Sequence, residues 1–433
     1  MKVKRESVHI ITLGCSKNLV DSEYLLHQLQ NNGFEVYHDQ DLQHADIVLL
    51  NTCGFIHDAK QESIDMLLQL EQMKAAGNIR KIVVFGCLSQ RYKAELQEEL
   101  PFLDGIFGVY DQKALIESLN GKYKSQLLGE RLITTPSHYA YLKISEGCNR
   151  RCSFCAIPLI KGKHKSKSLD ELMTEARYLA SKGVKELILI AQDLSYYGYD
   201  LYKKSALHEL LELLLTIPEF EWIRLHYAYP ANFPMDVIAL IKKEARICNY
   251  IDLPIQHISD QVLKKMRRGH AGNETRTLMA KLRAEIPDMA IRTTLLVGHP
   301  GEGSEEYAEL LSYVEEFAFD RLGVFTYSEE EDTYAALHFD DNISTGEKLK
   351  RAEEIMQLQA VISENLNRKK IGSEFKVIID RKEGDYYIGR TQYDSPEVDN
   401  EILIRSFKDL AIGNFYTGRV TAADTYDLYA EIK

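Results

Sequence analysis

The sequence lacks the long apolar run that a membrane-spanning helix requires. In its 433 residues no stretch approaches the roughly 18 uncharged apolar residues that cross a bilayer. The start of the chain is basic but runs directly into a short, strand-like apolar segment, without the apolar region and cleavage site of a secretion signal. We therefore expect a cytosolic protein that makes no use of a membrane.

Basic residues are outnumbered by acidic ones, 53 to 65, and the motifs of hydrolases are absent. The formal net charge is −12, which favours a basic protein partner or a small molecule over nucleic acid, because phosphate-binding proteins are usually basic. The sequence has no P-loop, no Ser-His-Asp pattern that can be placed and no His-Glu-x-x-His motif, so hydrolase functions lack support. The seven cysteines are an odd number, which argues against a disulfide framework and favours metal or cluster ligation.

The hydrophobic pattern divides the chain into three segments, at residues 7–120, 134–366 and 368–433. In the first, apolar runs typical of buried parallel strands alternate with helices at about residues 18–31 and 58–76, which predicts an open parallel α/β sheet. In the second, six strand-like runs separated by helices predict an incomplete, TIM-like (β/α)6 barrel. In the third, five short strands predict an OB-like antiparallel β-barrel, so the fold class is α/β with a small β-barrel at the end.

Three polar features separate these patterns. A stretch from about residue 120 to residue 136 is predicted to be a linker, and Ser168 with Glu171 forms the capping box of a helix that ends near Gly183. A basic run ahead of that helix is interpreted as a solvated loop, with substrate contact as the alternative. Its members are Lys161, Lys163, Lys165 and Lys167.

Three of the cysteines form a C-x3-C-x2-C run, Cys148, Cys152 and Cys155, directly after the first strand of the predicted barrel. Three thiolates so spaced can bind three irons of a cuboidal iron–sulfur cluster and leave the fourth iron open to an outside ligand. Structural zinc would need a fourth ligand at a regular spacing, which His164 does not provide. Buried structural cysteines rarely repeat so tightly, and the spacing differs from that of ferredoxins.

Three further cysteines, Cys15, Cys53 and Cys87, each end an apolar strand. Because consecutive strands of a parallel sheet end at one edge, we expect these thiols to converge there and to suit a second cluster with one open iron. The alternative is that they are small core residues, which is the role expected of the isolated Cys248. The flanking glycines, which let backbones approach closely, are Gly14, Gly54 and Gly86.

The cysteine run in its barrel resembles the radical S-adenosylmethionine superfamily, and the whole chain resembles the methylthiotransferases within it. The resemblance implies two [4Fe-4S] clusters and S-adenosyl-L-methionine as cofactors. One cluster, on Cys148, Cys152 and Cys155, would generate a 5′-deoxyadenosyl radical, and the other would handle sulfur, so that a C–H bond becomes C–SCH3. The first segment then corresponds to the methylthiotransferase N-terminal domain and the last to a TRAM domain.

The resemblance also implies which residues contact S-adenosylmethionine, at the rim where the barrel strands have their carboxyl ends. They are Phe154, Gln192, Asp193, Gly298, Pro300, Gly301 and Glu302. The glycine turn among them fits a plain strand-to-helix turn equally well. His257, at the same rim, fits a structural histidine about as well as a substrate contact.

Several stretches resemble the ribosomal-protein branch of the family, the RimO type: TLGCSKNLVDSE, SEGCN, LPIQHISDQVLKKMRRG and SPEVDN. That branch modifies the β-carbon of an aspartate in protein twelve of the small ribosomal subunit, free or in the ribosome. The alternative is the tRNA branch, MiaB, which modifies an isopentenylated adenosine. Residues 374–433 carry eight Lys and Arg against twelve Asp and Glu, which favours a basic protein substrate. Glu397 and Asp399 are candidate contacts, and a turn-forming role for Pro396 and its neighbours fits equally well. An electron donor such as flavodoxin or ferredoxin is implied, and the sulfur donor is open.

Three positions depart from the family pattern. Lys161 and Lys167 stand where arginines are usual, so a bidentate contact with a carboxylate would be lost, and His299 stands where phenylalanine is common. An alternative of a different class is a nucleic-acid-binding module with purely structural clusters. Three ligands at each site argue against it, because structural clusters do not need an open iron.

Overall fold

The structure, a computed structural model, describes residues 5–433. Residues 1–4, part of the basic start on which the expectation of a cytosolic protein rests, lie outside the described residues. The chain forms two compact units. The first comprises the described residues up to Thr135, Tyr141–Asn149 and Cys155–Tyr178, and the second comprises Pro136–Ala140, Arg150–Phe154 and Leu179–Lys433. Cys148 and Cys155 thus belong to the first unit and Cys152 to the second.

A five-stranded parallel sheet forms the centre of the first unit. Its strands are β1 (Ser7–Thr12), β2 (Glu35–His38), β3 (Ala45–Thr52), β4 (Ile79–Gly86) and β5 (Gly105–Ile106). They lie in the order β2-β1-β3-β4-β5, which confirms the predicted open parallel sheet. The edge strands β2 and β5 were not predicted, because two to four half-exposed residues carry little hydrophobic pattern.

Helices cover both faces of this sheet. They are α1 (Ser16–Asn31), α2 (His57–Ala75), α3 (Cys87–Arg91), α4 (Lys93–Glu99) and α5 (Gln112–Ser118). On one face, Leu25 of α1 packs in a core with Ile10 of β1, and on the other Leu67 of α2 packs with Leu50 of β3. The first two helices begin and end within two residues of their predicted bounds. The turns that follow β1, β3 and β4 each carry one of the N-terminal cysteines.

The stretch predicted to be a linker after residue 120 contains the fully buried Arg131 instead of only solvated residues. Its guanidinium lies 2.5 Å from Glu23 and 3.3 Å from Glu175, and the Tyr178 hydroxyl donates to its carbonyl over 2.9 Å. Removing a guanidinium from water costs roughly several kcal/mol, and the surrounding carboxylates offset this cost. The linker interpretation was wrong here because the partners are more than forty residues away in the chain.

The six-stranded incomplete barrel is confirmed. In chain order the strands of this region are β6 (Tyr139–Lys143), β7 (Ser145–Glu146), β8 (Lys165–Ser166), β9 (Glu186–Ile190), β10 (Trp222–Leu225), β11 (Tyr250–Asp252), β12 (Ala290–Val297) and β13 (Arg321–Thr326). Two three-stranded sheets, β6-β9-β10 and β11-β12-β13, are linked by a parallel bridge between Ile223 and Ile247. The short strands β7 and β8 pair antiparallel beside the cysteine run.

The helices that follow are α6 (Ile157–Lys161), α7 (Leu169–Ser181), α8 (Tyr199–Tyr202), α9 (Leu207–Leu214), α10 (Met235–Lys243), α11 (Asp260–Lys265), α12 (Gly272–Glu285), α13 (Ser304–Phe317), α14 (Tyr334–His338) and α15 (Thr345–Arg368). Short 3-10 helices cover Ser125–Leu127 and Leu194–Tyr196. The predicted capping box of α7 is confirmed, since the backbone N–H of Ser168 donates to Glu171 and that of Glu171 donates to the Ser168 hydroxyl. Within residues 5–433, no helix is both long and apolar enough to cross a bilayer.

The last strands close into a barrel. They are β14 (Glu374–Glu383), β15 (Tyr386–Thr391), β16 (Ile402–Arg405), β17 (Phe415–Ala423) and β18 (Leu428–Ile432), in the order β14-β15-β16-β18-β17. Four pairings are antiparallel as predicted, whereas β16 and β18 run parallel. One parallel pair is required because an odd number of strands cannot alternate in direction around a closed ring. Cys248 is buried with Trp222 and Ile378, as expected of a core residue.

Candidate active site

The parallel sheet of the first unit carries Cys15, Cys53 and Cys87 on neighbouring strand ends. Cys15 immediately precedes α1, Cys53 follows β3 and Cys87 begins α3. Cys15 is exposed, whereas Cys53 and Cys87 are buried. A Cβ atom built on Gly14 would lie 2.9 Å from the Cys53 Sγ atom, which shows how closely the first two loops approach. The edge of the sheet thus brings the three loops together.

Two residues beside the cysteines hold these loops in place. The buried Asn18 amide donates to the carbonyl oxygens of Leu13 and Thr52, over 2.9 and 3.3 Å, and its Oδ1 atom lies 3.7 Å from the Cys87 Sγ atom. Gly54 lets the second loop pass against the third, since a Cβ atom there would lie 2.7 Å from the backbone of Leu88. The role of Asn18 was missed from the sequence, where it was only one residue of the TLGCSKNLVDSE stretch.

The donor set fits an iron–sulfur cluster better than a single metal ion. Burial raises the pKa of Cys53, and it raises that of Cys87 to about 12 against the opposing effect of Lys161, so metal binding must displace protons from these thiols. Across residues 5–433, no three His, Cys, Asp or Glu side chains are grouped closely enough to hold one ion. In a cuboidal cluster each thiolate binds a different iron, so the three sulfur atoms need not meet at one point.

Cys152 of the second cysteine set lies beside the Tyr229 ring, which has an arginine at each of two positions against it. Arg268 donates from Nη1 to its Sγ atom over 3.5 Å, and the Tyr229 hydroxyl lies 3.7 Å from the same sulfur. The guanidinium groups of Arg150 and Arg268 lie 4.0 and 4.2 Å from the centre of the Tyr229 ring. The sequence contained these arginines in CNRRC and KMRRG, but nothing in it connected them to Cys152.

Cys148 and Cys155 are half-buried in the first unit. The backbone N–H of Cys148 donates to the Gly162 carbonyl over 3.1 Å, and the N–H of His164 donates to the Asn149 side chain over 3.1 Å. These bonds fold the segment after the run back onto it. The buried His164 ring lies 3.0 Å from the Ser166 hydroxyl, in the same loop.

The predicted cofactor contacts near β9 and in the cysteine run are engaged within the protein. Asp193 is buried and accepts hydrogen bonds from Arg150 Nε over 2.8 Å and from the Ser195 hydroxyl over 2.5 Å. Gln192 is half-buried at the end of the same strand. Phe154 packs against an apolar group that includes Met266. Contact of these residues with S-adenosylmethionine stays a prediction.

The turn after β12 is stabilised by its own acid. Glu302 is buried, accepts from the Gly298 N–H over 2.9 Å and from Arg351 over 2.8 Å, and lies 3.5 Å from His257 Nε2. Burial alone raises its pKa, but His257 and Arg351 more than offset this and hold the pKa below the usual range. The other predicted members, Pro300 and Gly301, complete this turn. For Glu302 and His257, the geometry therefore supports the structural alternative that the sequence left open.

The interpretation of the basic run as a solvated loop holds for two of its four lysines and is wrong for the other two. In the basic run only Lys163 and Lys165 are exposed, whereas Lys161 is buried beside carboxylates and Lys167 lies 2.8 Å from the buried Glu175. The error arises because a charged residue is assumed to be solvated until its partner is known.

The prediction that Asp399 contacts the substrate failed for the same reason, because the residue is buried among partners. It was a candidate for substrate contact, but its side chain is only 1% exposed. It accepts hydrogen bonds from the Tyr250 hydroxyl over 2.7 Å and from Arg292 Nε over 3.2 Å. Its neighbour Glu397 is exposed and accepts from the Tyr139 hydroxyl over 3.1 Å.

Comparison with known families gives three matches along the chain. Residues 7–108 match an uncharacterized protein family, UPF0004, residues 142–314 match the radical SAM superfamily, and residues 371–432 match the TRAM domain. Solved structures show the same fold at low identity. The radical S-adenosylmethionine methyltransferase TsrM from Kitasatospora setae aligns with a TM-score of 0.55 at 13% identity, over 77% of this chain and 74% of that chain. The cobalamin-dependent radical enzyme OxsB aligns with a TM-score of 0.53 at 14% identity, over 82% and 56%.

Relatives of known name match over the full length. The ribosomal protein uS12 methylthiotransferase RimO of Phocaeicola vulgatus is 53% identical over 431 residues, which is 99% of this chain and 100% of the relative. RimO of Bacteroides thetaiotaomicron is also 53% identical, over 99% of each chain, and RimO of Christiangramia forsetii is 53% identical over 99% and 95%. Such identity along a chain with a radical SAM barrel and a TRAM domain means that this protein belongs to the family of ribosomal protein uS12 methylthiotransferases, RimO.

Proposed function

We propose that this protein methylthiolates ribosomal protein uS12, by converting a C–H bond on the β-carbon of an aspartate into C–SCH3. The observation that carries the proposal is the 53% identity with uS12 methylthiotransferases over 99% of the chain. The net charge of −12 supports a basic protein substrate. The work would be done in the cytoplasm, with flavodoxin or ferredoxin as the electron donor.

Two [4Fe-4S] clusters and S-adenosylmethionine are the cofactors of this proposal. Cys148, Cys152 and Cys155 hold one cluster, and the N-terminal cysteines hold the other. When bound, these groups supply a radical that removes hydrogen from carbon and the sulfur that replaces it. The proposed domains extend over residues 7–120, 134–366 and 368–433. The two compact units divide the chain differently, since they place Cys148 and Cys155 with the N-terminal cysteines and Cys152 in the second unit.

The chain's own side chains prepare these sites. Arg268 and Tyr229 fix the Cys152 sulfur and provide positive charge beside it. Asp193 holds Arg150 against the same tyrosine, so that the cysteine loop keeps one shape. Asn18 orients the loop ends of the other set.

The residues proposed to surround S-adenosylmethionine line the carboxyl ends of the barrel strands. They are Phe154, Gln192, Asp193, Gly298, Pro300, Gly301 and Glu302. Of these, Asp193 and Glu302 would act through the arginines they bind, Arg150 and Arg351, because their carboxylates already have partners. Substitution of Gln192 by Ala, which leaves both ion pairs intact, should weaken S-adenosylmethionine binding in equilibrium dialysis.

The test is modification of purified uS12 by the anaerobically reconstituted enzyme with S-adenosylmethionine and dithionite. Mass spectrometry should show one methylthio group in place of hydrogen on one aspartate. Isopentenylated tRNA serves as the second substrate, and modification of the tRNA without modification of uS12 would overturn the proposal. Cys53→Ala should block modification while S-adenosylmethionine cleavage continues, whereas Cys152→Ala should abolish both. Absence of cleavage by the intact enzyme would favour purely structural clusters.

A further inference from the structure

Two buried lysines and two partly exposed carboxylates form a charged group in the first unit, close to the N-terminal cysteines. We call it the acid–lysine cluster, and it consists of Asp21, Lys143, Glu146 and Lys161. The Lys161 ammonium lies 3.6 Å from Asp21 Oδ2 and 3.5 Å from Glu146 Oε1. Lys143 donates to Asp21 and, over 2.6 Å, to Glu146. The Lys161 side chain is only 3% exposed, so its charge is shielded little by water.

The acid–lysine cluster is joined to the cysteine loops by packing. Lys161 is the last residue of α6, and its neighbour Ile160 packs with Cys87 and Ala156 in one apolar group. The Tyr110 hydroxyl donates to the Lys161 carbonyl over 2.6 Å and so fixes the end of this helix. Asp21 belongs to α1, the helix that begins directly after Cys15. The packing of Ile160, the hydrogen bond from Tyr110 and the ion pair with Asp21 of α1 therefore fix the position of the ammonium together.

The charge of Lys161 is permanent under physiological conditions. Burial lowers its pKa, but Asp21 and Glu146 raise it by more, so the pKa lies above the usual lysine value. A cation held in a poorly screened interior stabilises added negative charge nearby far more than a surface lysine does.

We propose that Lys161 is a positioning residue that makes the cluster bound by Cys15, Cys53 and Cys87 easier to reduce. The inference rests on the proposed function, because it assumes an iron–sulfur cluster at these cysteines. Reduction adds one electron from an external donor and thus one negative charge to the cluster, and the fixed ammonium stabilises that charge. Asp21 and Glu146 hold the ammonium in place and oppose it in sign, so their removal should act in the opposite direction.

The experiment is a dithionite titration of the full-length chain, followed by electron paramagnetic resonance. Cys148, Cys152 and Cys155 are replaced by Ala, so that only the N-terminal cluster contributes to the signal. We expect Lys161→Met to shift the midpoint potential to a more negative value and Lys161→Arg to leave it near that of the parent. Lys165→Met is the matched control, because it removes the same charge from an exposed position in β8 and should leave the potential unchanged.

A second variant covers the case in which Lys161→Met does not retain iron. Asp21→Asn removes a negative charge from the same group and should shift the midpoint to a more positive value. Unchanged potentials in iron-replete Lys161→Met or, failing that, in Asp21→Asn would overturn the inference. The proposed function is measured separately, by uS12 modification in the chain that keeps all six cluster-binding cysteines. Shifted potentials without uS12 modification would count against the function and leave the role of Lys161 standing.

Discussion

Ser153, which lies between Cys152 and Cys155 in the chain, is joined to His299 by a hydrogen bond of 3.1 Å. The Nδ1 atom of His299 lies 3.1 Å from the Pro300 carbonyl and must donate to it, so Nε2 accepts the proton of the Ser153 hydroxyl. Burial lowers the pKa of His299 to about 4. A neutral imidazole therefore connects the cysteine run to the end of β12.

The first prediction concerns acid stability. Between its ordinary pKa of 6.5 and about 4, His299 binds a proton in the unfolded chain but not in the folded one, so stability rises with pH across this window. The stability contributed by the neutral His299 side chain is present in full above pH 6.5. It falls by about 3 kcal/mol as the pH drops from 6.5 to about 4. Urea unfolding of His299→Phe should show a shallower pH dependence than the parent. The exposed His44→Phe is the control, and an equal slope in all three chains would contradict the prediction.

The second prediction concerns iron. The reconstituted chain should hold about eight irons, four in each cuboidal cluster. Joint replacement of Cys148, Cys152 and Cys155 by Ala should remove about half, and so should joint replacement of the N-terminal set. Cys248→Ala, a change of the same kind in the apolar core, should leave the iron content unchanged. Full iron after either triple replacement would show that the set does not bind a cluster.

The third prediction separates crowding from backbone strain. Gly14 and Gly33 have positive φ angles of 91° and 92°, so Ala costs a similar amount of backbone energy at either position, about 1 kcal/mol. Only at Gly14 does the added Cβ meet another group, the Cys53 sulfur at 2.9 Å, whereas at Gly33 nothing lies within 4 Å. Gly14→Ala should therefore lower the iron content by up to half, while Gly33→Ala should retain all of it. The measurement is iron and sulfide per chain, and equal iron in the two variants would contradict it.

The fourth prediction distinguishes a structural carboxylate from a docking one. Asp399 is buried between Tyr250 and Arg292, so Asp399→Ala leaves a partly buried guanidinium without this partner and should cost about 3 kcal/mol of stability. Glu397→Ala, two residues away on the surface, should cost much less. Thermal unfolding of the two variants decides the matter. A stable Asp399→Ala chain with weakened uS12 binding would restore the docking role.

Contiguous patterns in the sequence predicted most of this fold, and pairing at a distance explains what they missed. The strands that end at Cys53 and Cys87 are runs of apolar residues, so both the sheet and its cysteine edge were predictable. Arg131 and Lys161 look like solvated residues in sequence because their carboxylate partners come from other helices and loops. Asp399 was misassigned for the same reason. Charge is visible in a sequence, whereas burial of charge depends on which segments the fold brings together.

Closure of the C-terminal barrel limits how a partner can bind there. Each of its five strands is hydrogen-bonded on both sides, so the ring offers no row of free backbone donors and acceptors to an incoming peptide. Strand addition, the mode by which many domains capture extended chains, is thereby closed to this part of the protein. Recognition must work through side chains and the loops between strands. Partner choice can therefore change by surface substitution alone, without any cost to the hydrogen-bonded frame.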